Sequence, residues 1–280
     1  MDFTAVLIAA SLVGAVGLFV GLFLGIVGKF LAVEVNEKEA AVLECLPNNN
    51  CGGCGYASCS ALAKAIADGE APANSCPVGG APVAEQIAEI MGTEAGEVVR
   101  LVAHIKCAGD CQSASNKAEY TGVKDCRYAV LSPSGNGKDC VYGCLGLGSC
   151  VSVCTNNAIS IENGIAKIDY DECFGCGQCA AACPKGLIEI LPLNAQVVVD
   201  CASRDKLKDV KLVCSAGCMG CSVCAKLCKT GAIKMENNLP VIDHSLCTKC
   251  GACIEKCPVK ALGYLGAAKV RSAKKENESK

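Results

Sequence analysis

Twenty-six cysteines fall in a chain of 280 residues, and they fall in tight runs. Cys173-x2-Cys176-x2-Cys179-x3-Cys183-Pro184 is one run and Cys247-x2-Cys250-x2-Cys253-x3-Cys257-Pro258 is another. Three thiolates on so short a loop can cap three corners of a [4Fe–4S] cubane, while the fourth, just before the proline, reaches the neighbouring cluster. Four-cysteine zinc sites usually come as two separated C-x2-C pairs. Secreted disulfide scaffolds are usually short, with irregular spacings. Iron–sulfur clusters are therefore the preferred reading, and they place the cysteine-rich part in a reducing, cytoplasmic compartment. Metal ligation also answers a compositional problem: with 4% aromatic residues, no Trp and 30 Gly, large apolar side chains cannot hold the chain together by themselves. A net charge of −2 leaves no basic footprint for nucleic acid.

Thr4 to Val27 contains no charged residue. As a helix it exceeds the roughly 20 residues that span a bilayer. A signal peptide would want a positive n-region and a small-residue cleavage site, whereas the chain opens Met1-Asp2-Phe3. A retained single-pass anchor is expected, in contact with membrane lipid, with Lys29 on the cytoplasmic side. Gly17-xxx-Gly21-xxx-Gly25 would let another helix approach closely.

The C-terminal half repeats itself at the offset that carries Cys173 onto Cys247. At that offset Cys176, Cys179, Cys183 and Pro184 fall on Cys250, Cys253, Cys257 and Pro258, and Cys150 and Cys154 fall on Cys224 and Cys228. Each repeat reads as a dicluster ferredoxin module whose two cysteine runs flank a short hairpin, such as Ala158–Asp169. The cross-over rule groups Cys218, Cys221 and Cys224 with Cys257, then Cys247, Cys250 and Cys253 with Cys228, and Cys173, Cys176 and Cys179 with Cys154. The first repeat departs at Leu147, where Cys221 has its counterpart. The simplest replacement ligand is Cys140, with Cys144, Cys150 and Cys183.

Nearer the N-terminus, Cys51-x2-Cys54-x4-Cys59-x16-Cys76 supplies four more thiolates. Glycines lie among them and a short Ala-rich helix, about Ala57 to Asp68, follows. Its N-terminal amides suit an anionic cluster. Cys107, Cys111 and Cys126 form a third group that lacks a fourth member, for which Cys140, Cys201 and Cys214 are candidates. Five clusters are expected, or six if that group is completed. Cys45 stands alone, as a small buried hydrophobe. His104 is expected to be a plain surface histidine, and Lys269–Lys280 a disordered tail.

With these residues in view, the arrangement resembles the B subunit of the Rnf complex. The membrane helix and the Asn50-Cys51-Gly52-Gly53-Cys54-Gly55 segment carry the likeness, and Cys140-Val141-Tyr142-Gly143-Cys144 with the extra module resembles the longer form of anaerobic bacteria. The resemblance implies a bacterial inner-membrane complex that moves electrons between soluble ferredoxin and NAD and couples this to Na⁺ or H⁺ translocation. This chain would take electrons from ferredoxin and hand them to the other redox subunits. An electron wire also fits the want of a dinucleotide G-x-G-x-x-G or a P-loop. The alternatives are a subunit of another membrane oxidoreductase, hydrogenase-like, a catalytic iron–sulfur reductase subunit, or a zinc-binding interaction protein. The expected fold is α+β. Its parts are a transmembrane anchor (1–30), a small helical [4Fe–4S] domain (31–95), a cysteine-containing connector (96–135), two tandem ferredoxin modules (136–194 and 195–268) and a tail (269–280).

Overall fold

In the computed structural model, which describes residues 3–30, 36–132, 137–194 and 197–265, α1 covers Phe3–Phe30. Side chains in α1 are described for Leu12 and for 14–26, a stretch shorter than a bilayer span by itself. Among the described residues no helix is long and apolar enough to cross a membrane. The expected tail at 269–280 lies outside the described residues.

Three helices make the next unit: α2 (Glu37–Cys45), α3 (Cys59–Ala67) and α4 (Gly80–Met91). The Asn36 side chain accepts from the Lys38 amide to start α2, and Ser58 Oγ accepts from the Ala61 amide to start α3. Each cap satisfies an amide that the first helical turn would leave orphaned. Val42, Leu62, Ile66 and Ile87 point into one core and are 0–2% exposed. Cys59 and Cys76 are buried in that same core.

The remaining elements repeat. β2 (Ile159–Glu162) and β3 (Ile165–Ile168) form an antiparallel hairpin, and β6 (Ile233–Glu236) and β7 (Leu239–Ile242) form its copy at the offset of the cysteine runs. An outer pair brackets each hairpin: β1 (Leu101–Ile105) with β4 (Ile188–Pro192), and β5 (Val197–Val199) with β8 (Leu262–Tyr264). Between strands lie short helices: α5 (Cys126–Ala129), α6 (Ser149–Ser152), α7 (Gln178–Ala182), α8 (Leu207–Val213), α9 (Val223–Leu227) and α10 (Ala252–Glu255).

The outer pairs do not keep the register of the repeat on both strands. Ile105 pairs with Ile188 and Val199 pairs with Leu262. Ile188 and Leu262 stand at the repeat's own offset, whereas Ile105 and Val199 stand twenty positions further apart. The first repeat therefore carries an insertion of that length after β1, and β1 belongs to the sheet of the first module although it lies in the stretch expected as a connector. The two modules are stitched through these segments. The Ala108 amide donates to Asp200 O at 2.9 Å, Ser115 to Val213 O at 3.0 Å and Ser215 to Ser113 O at 2.8 Å. His104 of β1 is 3% exposed, correcting the expected surface position. Its Nε2 lies 3.4 Å from Val199 O and its Nδ1 3.3 Å from the Tyr170 hydroxyl. Burial holds the imidazole below its usual 6.5, outweighing Asp200 and Glu189 nearby.

Candidate metal centres

All 26 cysteines are free of disulfides. Among the described residues, no three His, Cys, Asp or Glu side chains converge as for a single metal ion. The sulfurs instead stand around recesses between loops.

Cys51, Cys54, Cys59 and Cys76 lie on the loop before α3, at its first residue and on the loop after it. Burial raises the Cys76 thiol, the Gly79 and Val78 amides oppose this, and Cys54 and Cys51 raise it again. Asn50 Oδ1 accepts from the Cys59 amide at 2.8 Å, folding the Gly-rich loop back onto the helix start.

Cys173 and Cys176 lie on the loop before α7, and Cys179 lies in α7. With Cys154 they line a recess of about 460 Å³, part of it open to solvent. The Ala103 amide donates to Cys173 Sγ at 3.3 Å. Burial pushes Cys179 up to about 12, with Cys173, Cys176 and Cys150 adding to it. Gly177, left-handed at φ 82°, starts α7 and turns the run sharply enough to bring its thiols to one side.

In the second module Cys218, Cys221, Cys224 and Cys257 line a recess of about 310 Å³. Cys247 and Cys250 act on Cys253, whose thiol is raised first by burial. Cys228 holds the place of Cys154 in the repeat, and the Thr230 hydroxyl beside it holds its thiol below the usual value.

The first module's other set differs from the sequence expectation. Burial pushes Cys150 up to about 12, and the thiols that add to this are Cys144, Cys126 and Cys183. Cys126, which the sequence had grouped with Cys107 and Cys111, stands beside Cys150. The insertion after β1 delivers it: Ser149 Oγ accepts from the Cys126 amide at 2.7 Å and donates to Asp125 Oδ1 at 2.7 Å, pinning α5 to α6. Cys140 lies elsewhere among the described recesses. It lines another recess with Cys107, Cys201 and Cys214. The expected trio of Cys107, Cys111 and Cys126 is dispersed, and Cys111 is exposed beside the β2–β3 turn, where its amide donates to Asn163 O at 2.9 Å.

One polar residue escaped sequence reasoning. Lys138, 9% exposed, donates from Nζ to Gly109 O at 2.9 Å, Cys144 O at 3.0 Å and Gly164 O at 2.8 Å. It clamps three loops around the cysteines. No spacing rule signals such a lysine.

As donors these sites suit iron–sulfur chemistry. Thiols raised by burial are protonated when free, so iron must displace the proton. Backbone amides aimed at sulfur then stabilise the thiolate.

Known proteins agree with that donor chemistry. Family models match over residues 46–78 (FeS, an Fe–S cluster), 148–193 (LdpA Fe–S cluster-binding domain) and 240–263 (4Fe–4S binding domain). The chain is 45% identical over 268 residues to the B subunit of the proton-translocating ferredoxin:NAD⁺ oxidoreductase complex of Clostridium ljungdahlii, covering 94% of both chains. It is 43% identical to the B subunit of the Na⁺-translocating complex of Acetobacterium woodii, over 92% of this chain and 78% of that one. The chain belongs to the family of Rnf B subunits. A third member, the B subunit of the ion-translocating oxidoreductase complex of Methanosarcina acetivorans, is 42% identical over 90% of this chain and 96% of its own. With Fe–S family models matched at three places, this Rnf B subunit carries [4Fe–4S] clusters. Cys107, Cys126, Cys140, Cys144, Cys201 and Cys214 lie outside all three matched segments.

Proposed function

We propose that this chain is the iron–sulfur electron-transfer subunit of a ferredoxin:NAD oxidoreductase complex that translocates Na⁺ or H⁺. The reading rests on relatives from three organisms, all B subunits, that match 90–94% of this chain. Its partners are reduced soluble ferredoxin and the other redox subunits of the complex. Five ligand sets follow from the side chains that stand together or from the repeat: Cys51/Cys54/Cys59/Cys76; Cys154/Cys173/Cys176/Cys179; Cys126/Cys144/Cys150/Cys183; Cys218/Cys221/Cys224/Cys257; and Cys228/Cys247/Cys250/Cys253. A bound [4Fe–4S] cluster supplies a one-electron redox centre. The chain's part is to bring such centres close, exclude water and set their potentials through amides and charges such as Lys138.

The anchor is part of the same proposal. α1 leaves Leu18 70% and Phe19 71% exposed, and a Cβ added at Gly14, Gly17, Gly21 or Gly25 would meet nothing within 4 Å. A helix whose described side chains are so apolar and so exposed is stable in lipid or against another subunit's helix. It would hold the cysteine-rich domains at the cytoplasmic face of the inner membrane.

The test uses membranes from a strain lacking its own B subunit. Supplying this chain should restore ferredoxin-driven NAD reduction, and Cys54→Ala should lose one cluster and abolish the rescue while still reaching the membrane. A colourless, iron-free chain purified without air would refute the reading.

A further inference from the structure

We propose that Cys107, Cys140, Cys201 and Cys214 ligate an additional [4Fe–4S] cluster between the two ferredoxin modules, completing an unbroken row of six. The inference rests on the electron-transfer reading above and adds a site that the ferredoxin motifs and matched family segments do not contain.

Internal symmetry is the first support. Cys107 lies two residues beyond Ile105 and Cys201 two residues beyond Val199, the equivalent ends of β1 and β5. Cys140 and Cys214 are related by the same offset as the repeats. The Cys144 amide donates to Cys107 Sγ at 3.3 Å, and the Cys218 amide, its counterpart, donates to Cys201 Sγ at 3.2 Å. Each module thus gives two thiols, placed and hydrogen-bonded alike. An accident of folding would not reproduce both the sulfurs and their amide donors.

Space is the second support. The four thiols line one recess whose size is similar to that of the recesses at two ferredoxin-type sets. A Cβ at Gly109 would lie 3.2 Å from Cys214 Sγ and 3.8 Å from Cys107 Sγ, and one at Gly143 would lie 3.7 Å from Cys140 Sγ. Glycine at position 109 keeps that wall clear of the Cys214 sulfur.

Position is the third. Cys51 acts on Cys176, and Gln178 Nε2 donates to Cys51 O, joining the N-terminal set to the first module. α6, which carries Cys150, packs on α7, which carries Cys179, and α9 with Cys224 packs on α10 with Cys253, joining the sets within each module. Between modules, the Cys144–Cys107 and Cys201–Cys218 contacts are the links, and both run through the proposed site. An electron moving along this row oxidises each site as it reduces the next, with ferredoxin as the reductant and NAD the final acceptor.

The experiment is an iron and acid-labile sulfide count on the full chain, purified without air, with electron paramagnetic resonance spin quantitation after dithionite reduction. Wild type should carry about 24 iron atoms, and Cys201→Ser and Cys140→Ser each about 20, with the other signals retained. Cys111→Ser should match wild type. A wild-type count of about 20 overturns the proposal while leaving the electron-transfer reading intact, as does a Cys201→Ser or Cys140→Ser count equal to wild type. Should one variant not fold, the wild-type count and the other variant decide. Iron-free wild-type chain would overturn both readings.

Discussion

Replacing Lys138 with methionine keeps the length of the side chain and removes its ammonium. Gly109 O, Cys144 O and Gly164 O, now 2.8–3.0 Å from Nζ, would lose that donor. A buried acceptor without its partner costs about 1–3 kcal/mol. Three of them cost roughly 3–9 kcal/mol, offset by the several kcal/mol no longer spent desolvating the charge. A net loss of about 3 kcal/mol is expected, concentrated where the three loops meet. At about 1.4 kcal/mol per tenfold, local opening becomes roughly a hundredfold more frequent. Native-state hydrogen exchange reads this directly: the Cys111 amide, bonded to Asn163 O, and the β2–β3 amides should exchange about a hundredfold faster. Amides of α3, in a separate core, should not change. Unaltered exchange at Cys111 would show that water already serves those carbonyls and that the clamp is not structural.

Further outcomes are expected from the same geometry. A Cβ at Gly53 would lie 2.9 Å from Cys176 O, so Gly53→Ala should push the N-terminal set away from the first module at a cost of about 1–3 kcal/mol, seen as weaker magnetic coupling between their reduced clusters. Unchanged coupling would refute the close approach. Ser222 holds φ 60° before α9, where Gly148, Gly177 and Gly251 serve at the equivalent starts. Ser222→Gly should therefore stabilise by about 0.5 kcal/mol, relief of left-handed strain exceeding the added chain entropy, and a lower midpoint for thermal bleaching would contradict it. His104 has its folded value below 6.5, so below that pH the unfolded chain binds the extra proton and stability falls as pH falls. His104→Asn should show a flatter melting-temperature profile between about pH 7.5 and 5.5. In metal-free chain the sign reverses: Cys150 and Cys179 keep their protons to about 12, against a usual 9.0, so stability should decline from pH 9.0 upward, as urea midpoints would report.

Much of the fold was readable from the internal repeat, because both hairpins and β4 with β8 obey its offset. What escaped follows from one event, the insertion after β1. It shifts Ala103–Cys107 to a longer register, matched by Val197–Cys201 and visible only if that second shift is tried. Without it, Cys107 looks like a partner of Cys111, and Cys140 looks like the substitute for Leu147. His104 looked exposed because a histidine in a short apolar strand gives no sign that a second module covers it.

The chain's own order of residues settled which sulfurs share a loop, since two intervening residues leave the backbone little freedom in where neighbouring thiols point. It could not settle which distant sulfurs meet. Cys126 reaches Cys150, and Cys107 reaches Cys214, because paired strands, a hydroxyl bridge at Ser149 and a buried ammonium at Lys138 close long loops against their entropy. The Ser149 and Lys138 closures form within the first repeat, whereas Cys107 meets Cys214 only once the two modules have packed together.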